Sequence, residues 1–142
     1  MPIFGDLFGL PKSPETIIDE WKPRRCTTEK DYENSLVSHW RKIQPKDRVT
    51  PQYAVGRTKA DIVVNESIII ELKKDLKTTG QRDRLKGQLT NYTEWKGRII
   101  VVLVGDVDLD ILSNLRDYAS NAGTEGYLPP MLAEDKITVI TK

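Results

Sequence analysis

Residues 99–104 read Ile-Ile-Val-Val-Leu-Val, and Gly105 closes the run. A strand wetted on one face alternates apolar and polar residues. An unbroken run rich in β-branched residues belongs to a strand covered on both faces. Such strands lie inside sheets that carry helices. The chain has 142 residues, which suits one domain with its own core.

Turn and cap residues divide the rest of the chain. Ser13, Pro14 and Glu15 open a short helix with Ile17, Ile18 and Trp21 on one side, and Pro23 stops it. Residues 1–26 are read as an N-terminal arm with this one helix, and residues 27–142 as a single main domain. Thr28, with Asp31 three residues on, sets a capping box for a helix over 29–43 that Pro45 closes off. Strands are expected over 49–55, 60–64 and 68–73. Gly56-Arg57-Thr58-Lys59 and Asn65-Glu66-Ser67 separate them. A helix over 81–95 is bracketed by Gly80 and Gly97, and a strand over 98–104 follows. A helix over 109–122 has Leu109, Leu112, Leu115, Tyr118 and Ala119 on its apolar side and Gly123 as its stop. A last strand covers 137–141. The order describes an α/β fold, a mixed sheet flanked by helices. A right-handed crossover through the 81–95 helix sets the 98–104 strand parallel to the one before it.

Several polar residues break this pattern. In Ile68-Ile69-Ile70-Glu71-Leu72-Lys73, alternation puts Ile69, Glu71 and Lys73 on one face and Ile68, Ile70 and Leu72 on the other. In the preceding strand, Asp61 and Val63 share a face, opposite Ala60, Ile62 and Val64. The loop length decides which residues meet. A two-residue loop, Asn65-Glu66, pairs Asp61 with Ile70. A three-residue loop that adds Ser67 pairs Val63 with Ile69 and Asp61 with Glu71, so that apolar meets apolar and acid meets acid. Facing carboxylates repel unless a cation joins them. Magnesium takes one or two carboxylates together with substrate phosphate. An ion pair of Asp61 with Lys73 at a strand edge is the alternative.

Glu33 falls on the apolar stripe of Leu36, Val37 and Trp40, where a carboxylate needs a partner or a metal. If Tyr32 is the inward residue instead, Glu33 marks the stripe's edge. Gln88 and Tyr92 share helical spacing with Leu85, Leu89 and Trp95, and an inward amide needs a partner.

The formal net charge of +1 conceals an uneven distribution. Over 73–98 eight basic residues, among them Lys74, Lys77, Arg82 and Arg84, stand against Asp75, Asp83 and Glu94. Over 105–135 seven acids stand against Arg116 alone. A basic segment beside a candidate site suits a polyanion, and a solvated helix face accounts for the same charges. Cys26 is the single cysteine, so no intrachain disulfide forms and an intracellular, cytoplasmic setting is expected. The N-terminus lacks the features of a signal peptide, and no apolar stretch approaches bilayer length. No membrane association is expected.

Asp61, nine intervening residues and then Glu71-Leu72-Lys73 resemble the signature of the PD-(D/E)xK nuclease superfamily. The order helix, three strands, helix, strand resembles its restriction-endonuclease-like αβββαβ core, over Glu33 to about Val104. Glu33 resembles the acid often found on the first helix. Gln88-Leu89-Thr90-Asn91-Tyr92 resembles the Gln-x-x-x-Tyr motif of the lambda-exonuclease-like branch. Ala60 stands where the name-giving proline would be. The resemblance implies that Asp61 and Glu71, helped by the Leu72 backbone carbonyl and by Glu33, hold Mg²⁺ (or Mn²⁺). It implies that Lys73 orients or deprotonates the attacking water. Gln88 and Tyr92 would hold DNA backbone or Lys73, with Lys74, Lys77, Arg82 and Arg84 as further DNA contacts. The expected activity is a Mg²⁺-dependent deoxyribonuclease, a hydrolase acting on DNA and built as a homodimer. The competing readings are a non-catalytic nucleic-acid-binding module on the same fold and a protein-interaction domain.

His39 is off the stripe and Cys26 has no readable partner, so neither is given a catalytic role. Asp106, Asp108 and Asp110 are read as capping the helix that follows them.

Overall fold

The computed structural model describes residues 11–92, 94–122 and 136–142. Residues 1–10 of the expected arm, Gly123, and the acids Glu125, Glu134 and Asp135 lie outside the described residues.

The elements are α1 (Pro14–Glu20), α2 (Glu29–Ile43), β1 (Val49–Val55), β2 (Thr58–Val64), β3 (Ile68–Lys74), α3 (Thr79–Thr90), β4 (Arg98–Val104), α4 (Leu109–Ala122) and β5 (Ile137–Thr141). The five strands form one mixed sheet in the order β1-β2-β3-β4-β5. β1, β2 and β3 pair antiparallel, while β4 runs parallel to both β3 and β5. The α/β architecture with an αβββαβ core is the expected one.

Two apolar layers enclose the sheet. On one face Ile62, Val64, Ile70, Leu72, Ile100 and Val102 pack with Leu36, Val37 and Trp40 of α2. On the other, Val63, Ile69, Ile99, Val101 and Leu103 pack with Leu85 and Leu89 of α3 and Ile111, Leu115 and Ala119 of α4. β4 is buried on both faces, which its unbroken apolar run demands. α1 is packed onto the domain through Ile17, Ile18 and Trp21 in the first layer. Polar bonds bind it further: His39 Nε2 lies 2.8 Å from the Ile17 carbonyl, Lys142 Nζ donates to the Asp19 carbonyl at 2.8 Å, and Arg98 of β4 pairs with Glu15.

Caps set the helix ends. The Thr28 hydroxyl accepts from the Asp31 N–H, and the Asp31 carboxylate accepts from Thr28 N–H in return. Thr78 and Gln81 form a second capping box. That box starts α3 at Thr79, two residues before the expected 81, and Gly80 lies inside the helix. The glycine had been read as a boundary, but the side-chain cap outweighs its low propensity. α3 ends at Thr90, so Tyr92 and Trp95 stand beyond it. α4 matches the expected span, but Ile111 joins Leu115 and Ala119 as its buried residues, while Leu109 is 78% exposed. Asp108 Oδ1 accepts from the N–H groups of Asp110 and Ile111, which fixes this first turn and turns Leu109 to solvent.

The β1–β2 turn is shorter than expected. Val55 pairs with Thr58, so Gly56 and Arg57 alone make the loop. The β2–β3 hairpin pairs Val64 with Ile68, Val63 with Ile69 and Ile62 with Ile70, which is the three-residue register. Asn65 and Glu66 both take positive φ (54°), and Ser67 N–H donates to the Val64 carbonyl. The extra residue, Ser67, offers its carbonyl to Trp95 Nε1. Gly97 lies against the same carbonyl: a Cβ there would fall 1.6 Å from the Ser67 oxygen.

Candidate active site

Alternation on β3 turns Glu71 and Lys73 towards the α3 side, where Tyr92 joins them. Glu71 is wholly buried, at 0% exposure. Asp61 lies across from it by the hairpin's register, yet the backbone ladder stops at Ile62 and Ile70. In the opened space the side chains replace the missing rungs. Leu72 N–H donates to Asp61 Oδ2 at 2.9 Å, and Asp61 N–H donates to Glu71 Oε1 at 3.3 Å. Each acid is thus fixed through main chain of the opposite strand. The acid-to-acid register of the sequence reading holds, in the form of crossed side chain–backbone bonds.

Asp61 also interrupts the other ladder. β1 and β2 pair through Pro51–Ile62 and Tyr53–Ala60, with no rung between Gln52 and Asp61. Gln52 takes φ of +52°, uncommon for a residue with a side chain. The alternation slips here on both strands. Val49 and Ile62 pack in the first layer, whereas Tyr53 and Ala60 belong with the second. Ala60 therefore shares a layer with Val63 and not, as expected, with Ile62 and Val64.

Glu71 Oε1 accepts a second bond, 2.6 Å long, from the Tyr92 hydroxyl. Oε2 is buried with no hydrogen-bond partner among the described residues. Burial, then the charge of Asp61, push the Glu71 carboxyl up to about 7, against the opposing pull of Tyr92. Burial also raises Asp61, partly offset by the Leu72 N–H, and the charge of Glu33 adds to the rise. Burial first, and then the Glu71 carboxylate, raise the Tyr92 hydroxyl.

Glu33 is on the inner stripe of α2 rather than at its edge, and is 6% exposed. Its partners settle the burial problem. Gln52 Nε2 donates to both carboxylate oxygens, at 3.0 and 3.2 Å, and Lys30 Nζ pairs with Oε1 at 3.1 Å.

Lys73 is half-buried and, among the described residues, has no hydrogen bond or ion pair at its ammonium; its charge still acts on Asp61 and Glu71. It lines a cleft of about 500 Å³ with Glu29, Lys74, Leu76, Gln81, Arg84, Leu85 and Gln88. The structure thus brings Lys73, Lys74, Arg84 and Gln88 of the expected set into one place. It places Tyr92 on Glu71 and not on Lys73. Lys77 and Arg82 are outside this cleft, paired with Asp106 (3.3 Å) and Asp83 (3.1 Å).

Among the described residues no group of three or more His, Cys, Asp or Glu side chains forms a ready metal cluster. The corner between β2 and β3 offers two carboxylates instead. The Leu72 N–H points across it to Asp61, and in an extended strand the carbonyl of the same residue projects to the same side. Two carboxylates and a carbonyl are hard oxygen donors of the kind Mg²⁺ takes. The unpartnered Glu71 Oε2 fits them. Glu33 fits a direct ligand role less well, because Gln52 and Lys30 already engage both its oxygens.

Gln52, Lys30 and Glu29 were missed by sequence reasoning. A positive φ inside a strand leaves no mark in the sequence when the residue is a glutamine. Lys30 was findable, since it stands three residues before Glu33 on the same helix.

No family model matches the chain, and no curated protein matches it. A solved structure of SfsA from Pyrococcus furiosus in complex with Ca²⁺ is similar at 13% identity with a TM-score of 0.46, covering 79% of this chain. The match takes in 54% of that chain, so this sequence spans about half its length. No helix among the described residues is long and apolar enough to cross a membrane.

Proposed function

We propose that this chain is a metal-dependent nuclease of the PD-(D/E)xK type that hydrolyses DNA phosphodiester bonds, with Mg²⁺ (or Mn²⁺) as cofactor. Glu71 carries the reading. It is a wholly buried carboxyl with one oxygen unpartnered among the described residues, placed against a second acid, and its ionisation is opposed by both burial and Asp61. A position kept for stability alone is better served by an apolar residue. A cation shared by Asp61 and Glu71 reverses that balance.

When bound, such an ion polarises a phosphoryl oxygen and makes hydroxide accessible near neutral pH. The chain's own groups do the rest. The crossed bonds to Leu72 N–H and Asp61 N–H hold the two carboxylates at a common corner. Tyr92 fixes Glu71 Oε1 and leaves Oε2 for the ion. Lys73 places an unpaired ammonium beside them, where it orients the attacking water and offsets negative charge building on the phosphoryl oxygens. Glu33 adds a third negative charge near Asp61, which opposes that acid's ionisation when no cation is present and favours a cation at the corner. The basic cleft receives the DNA backbone, and a homodimer brings two such sites to the two strands.

The test is cleavage of linear, circular, flapped and four-way DNA by purified protein. Cleavage is expected with Mg²⁺ or Mn²⁺ and not with EDTA. Undiminished cleavage by Asp61→Ala or Lys73→Ala would falsify the assignment. The competing reading is a non-catalytic DNA-binding module on the same fold. That reading predicts salt-sensitive DNA binding without metal-dependent turnover.

A further inference from the structure

The cleft beside Lys73 is built mostly from two elements. Lys73 and Lys74 end β3. Gln81, Arg84, Leu85 and Gln88 follow at intervals of three, four and seven residues on α3, so they lie along one face of that helix. Leu85 is wholly buried and Leu76 nearly so, with exposures of 0% and 2%. They close the floor without presenting an apolar platform on which a base could stack. The accessible chemistry of the lining is polar: three cations (Lys73, Lys74, Arg84), two amides (Gln81, Gln88) and one acid (Glu29).

Their partners narrow this further. Glu29 Oε1 accepts from the Lys74 N–H, and Lys74 Nζ pairs with Asp75 at 3.3 Å. Gln81 Oε1 accepts from the N–H groups of Lys77 and Thr78. Arg84 and Lys73 have no ion pair among the described residues, and the Gln88 amide has no hydrogen bond there. Arg84 stands in contrast to its neighbour Arg82, whose guanidinium is held by Asp83. Arg84 and Gln88, four residues apart on one face of α3 and both uncommitted among the described residues, suit a tetrahedral oxyanion, and the Lys73 ammonium is left for a neighbouring one.

We infer that this cleft is a phosphate-binding subsite distinct from the scissile centre, in which Arg84 and Gln88 grip a phosphate of the substrate strand next to the one that Lys73 addresses. The inference rests on the nuclease reading for its biological context, but the binding it describes needs no metal and no turnover. The substrate strand then runs along α3 away from β3. The phosphate comes from one of two sources, an internal phosphodiester or a terminal monophosphate.

The experiment is binding of a labelled oligonucleotide in EDTA, by fluorescence anisotropy over a salt series. One phosphate at a time is replaced by an uncharged methylphosphonate, and 5′-phosphorylated and 5′-hydroxyl ends are compared. In the unaltered protein one replacement, or loss of the terminal phosphate, weakens binding by about fivefold or more. In Arg84→Ala the same change has no effect, and the slope of affinity against salt falls by about 1. Arg84→Lys restores part of the slope. The sensitive position identifies the source: a position inside the strand names the phosphodiester, and sensitivity only at the end names the monophosphate. A methylphosphonate penalty that persists unchanged in Arg84→Ala, or no sensitive position at all, overturns the subsite. Loss of the penalty in Arg84→Ala together with no Mg²⁺-dependent cleavage keeps the subsite and sinks the nuclease reading. Cleavage without any Arg84-dependent phosphate position does the reverse.

Discussion

The Tyr92 hydroxyl donates to Glu71 Oε1 across 2.6 Å, from a residue that stands beyond the end of α3. This bond divides the labour of the carboxylate, because Oε1 is engaged and Oε2 is not. It also favours the ionised form of Glu71, against burial and Asp61. Tyr92→Phe therefore raises the Glu71 carboxyl further. A raised native value makes a group destabilising once it must ionise. In EDTA the variant is expected to lose about 1–2 kcal/mol of stability at pH 8 and less at pH 5. Urea denaturation at the two pH values checks this. Equal losses at both would assign the bond a packing role only.

Glu71 itself links stability to pH. Its native value of about 7 lies above the ordinary 4.5, so the folded state favours the protonated form. The resulting stability is fully present below about pH 4.5 and is lost as the pH rises through about 7. For the metal-free protein this amounts to about 3 kcal/mol by pH 8, taken as an upper bound. Asp61, also raised, acts in the same direction. In Glu71→Gln this part of the decline disappears, so the variant gains on the parent as the pH rises. Thermal melts from pH 5 to 8 in EDTA read the effect, and parallel curves for the two proteins would contradict it.

Gln52 combines two effects of opposite sign. Its amide serves the buried Glu33, while its backbone sits at φ +52°. Gln52→Ala loses the bonds and keeps the unfavourable backbone, for a destabilisation of about 1–2 kcal/mol. Gln52→Gly loses the same bonds but accepts the backbone freely, so it should be more stable than the alanine variant by roughly 1 kcal/mol. Chemical denaturation of the pair decides. An alanine variant as stable as the glycine one would show that the φ value carries no strain.

Much of the fold was legible because its signals are periodic. The apolar run of β4 required cover on both faces, and the alternation of β3 put Glu71 and Lys73 on one face with Ile69, which the fold turns towards α3. The odd loop length correctly paired Val63 with Ile69. Glu33 was legible as a carboxylate on an apolar stripe. What failed was local competition between signals. Gly80 looked like a helix boundary until the Thr78–Gln81 box overrode it. Leu109 looked inward until the Asp108 cap set the first turn of α4 the other way. The slip at Gln52 and Asp61, and hence the partner of Glu33, depends on a backbone angle that no residue type announces. Tyr92 was placed near the site for the wrong reason. It reaches Glu71 from the turn after α3, not from helical spacing.

If Asp61 and Glu71 share a divalent cation while Lys73 serves the chemistry, metal binding and turnover depend on different residues. Calorimetric titration with Mn²⁺ at pH 7.5, run beside a DNA-cleavage assay, separates the two roles. Saturable Mn²⁺ binding is expected of the unaltered protein, and its loss in Asp61→Asn and Glu71→Gln. Lys73→Ala is expected to keep the binding and lose cleavage. Mn²⁺ binding that survives in both acid variants, or a Lys73→Ala protein that cleaves as well as its parent, would contradict this division of roles.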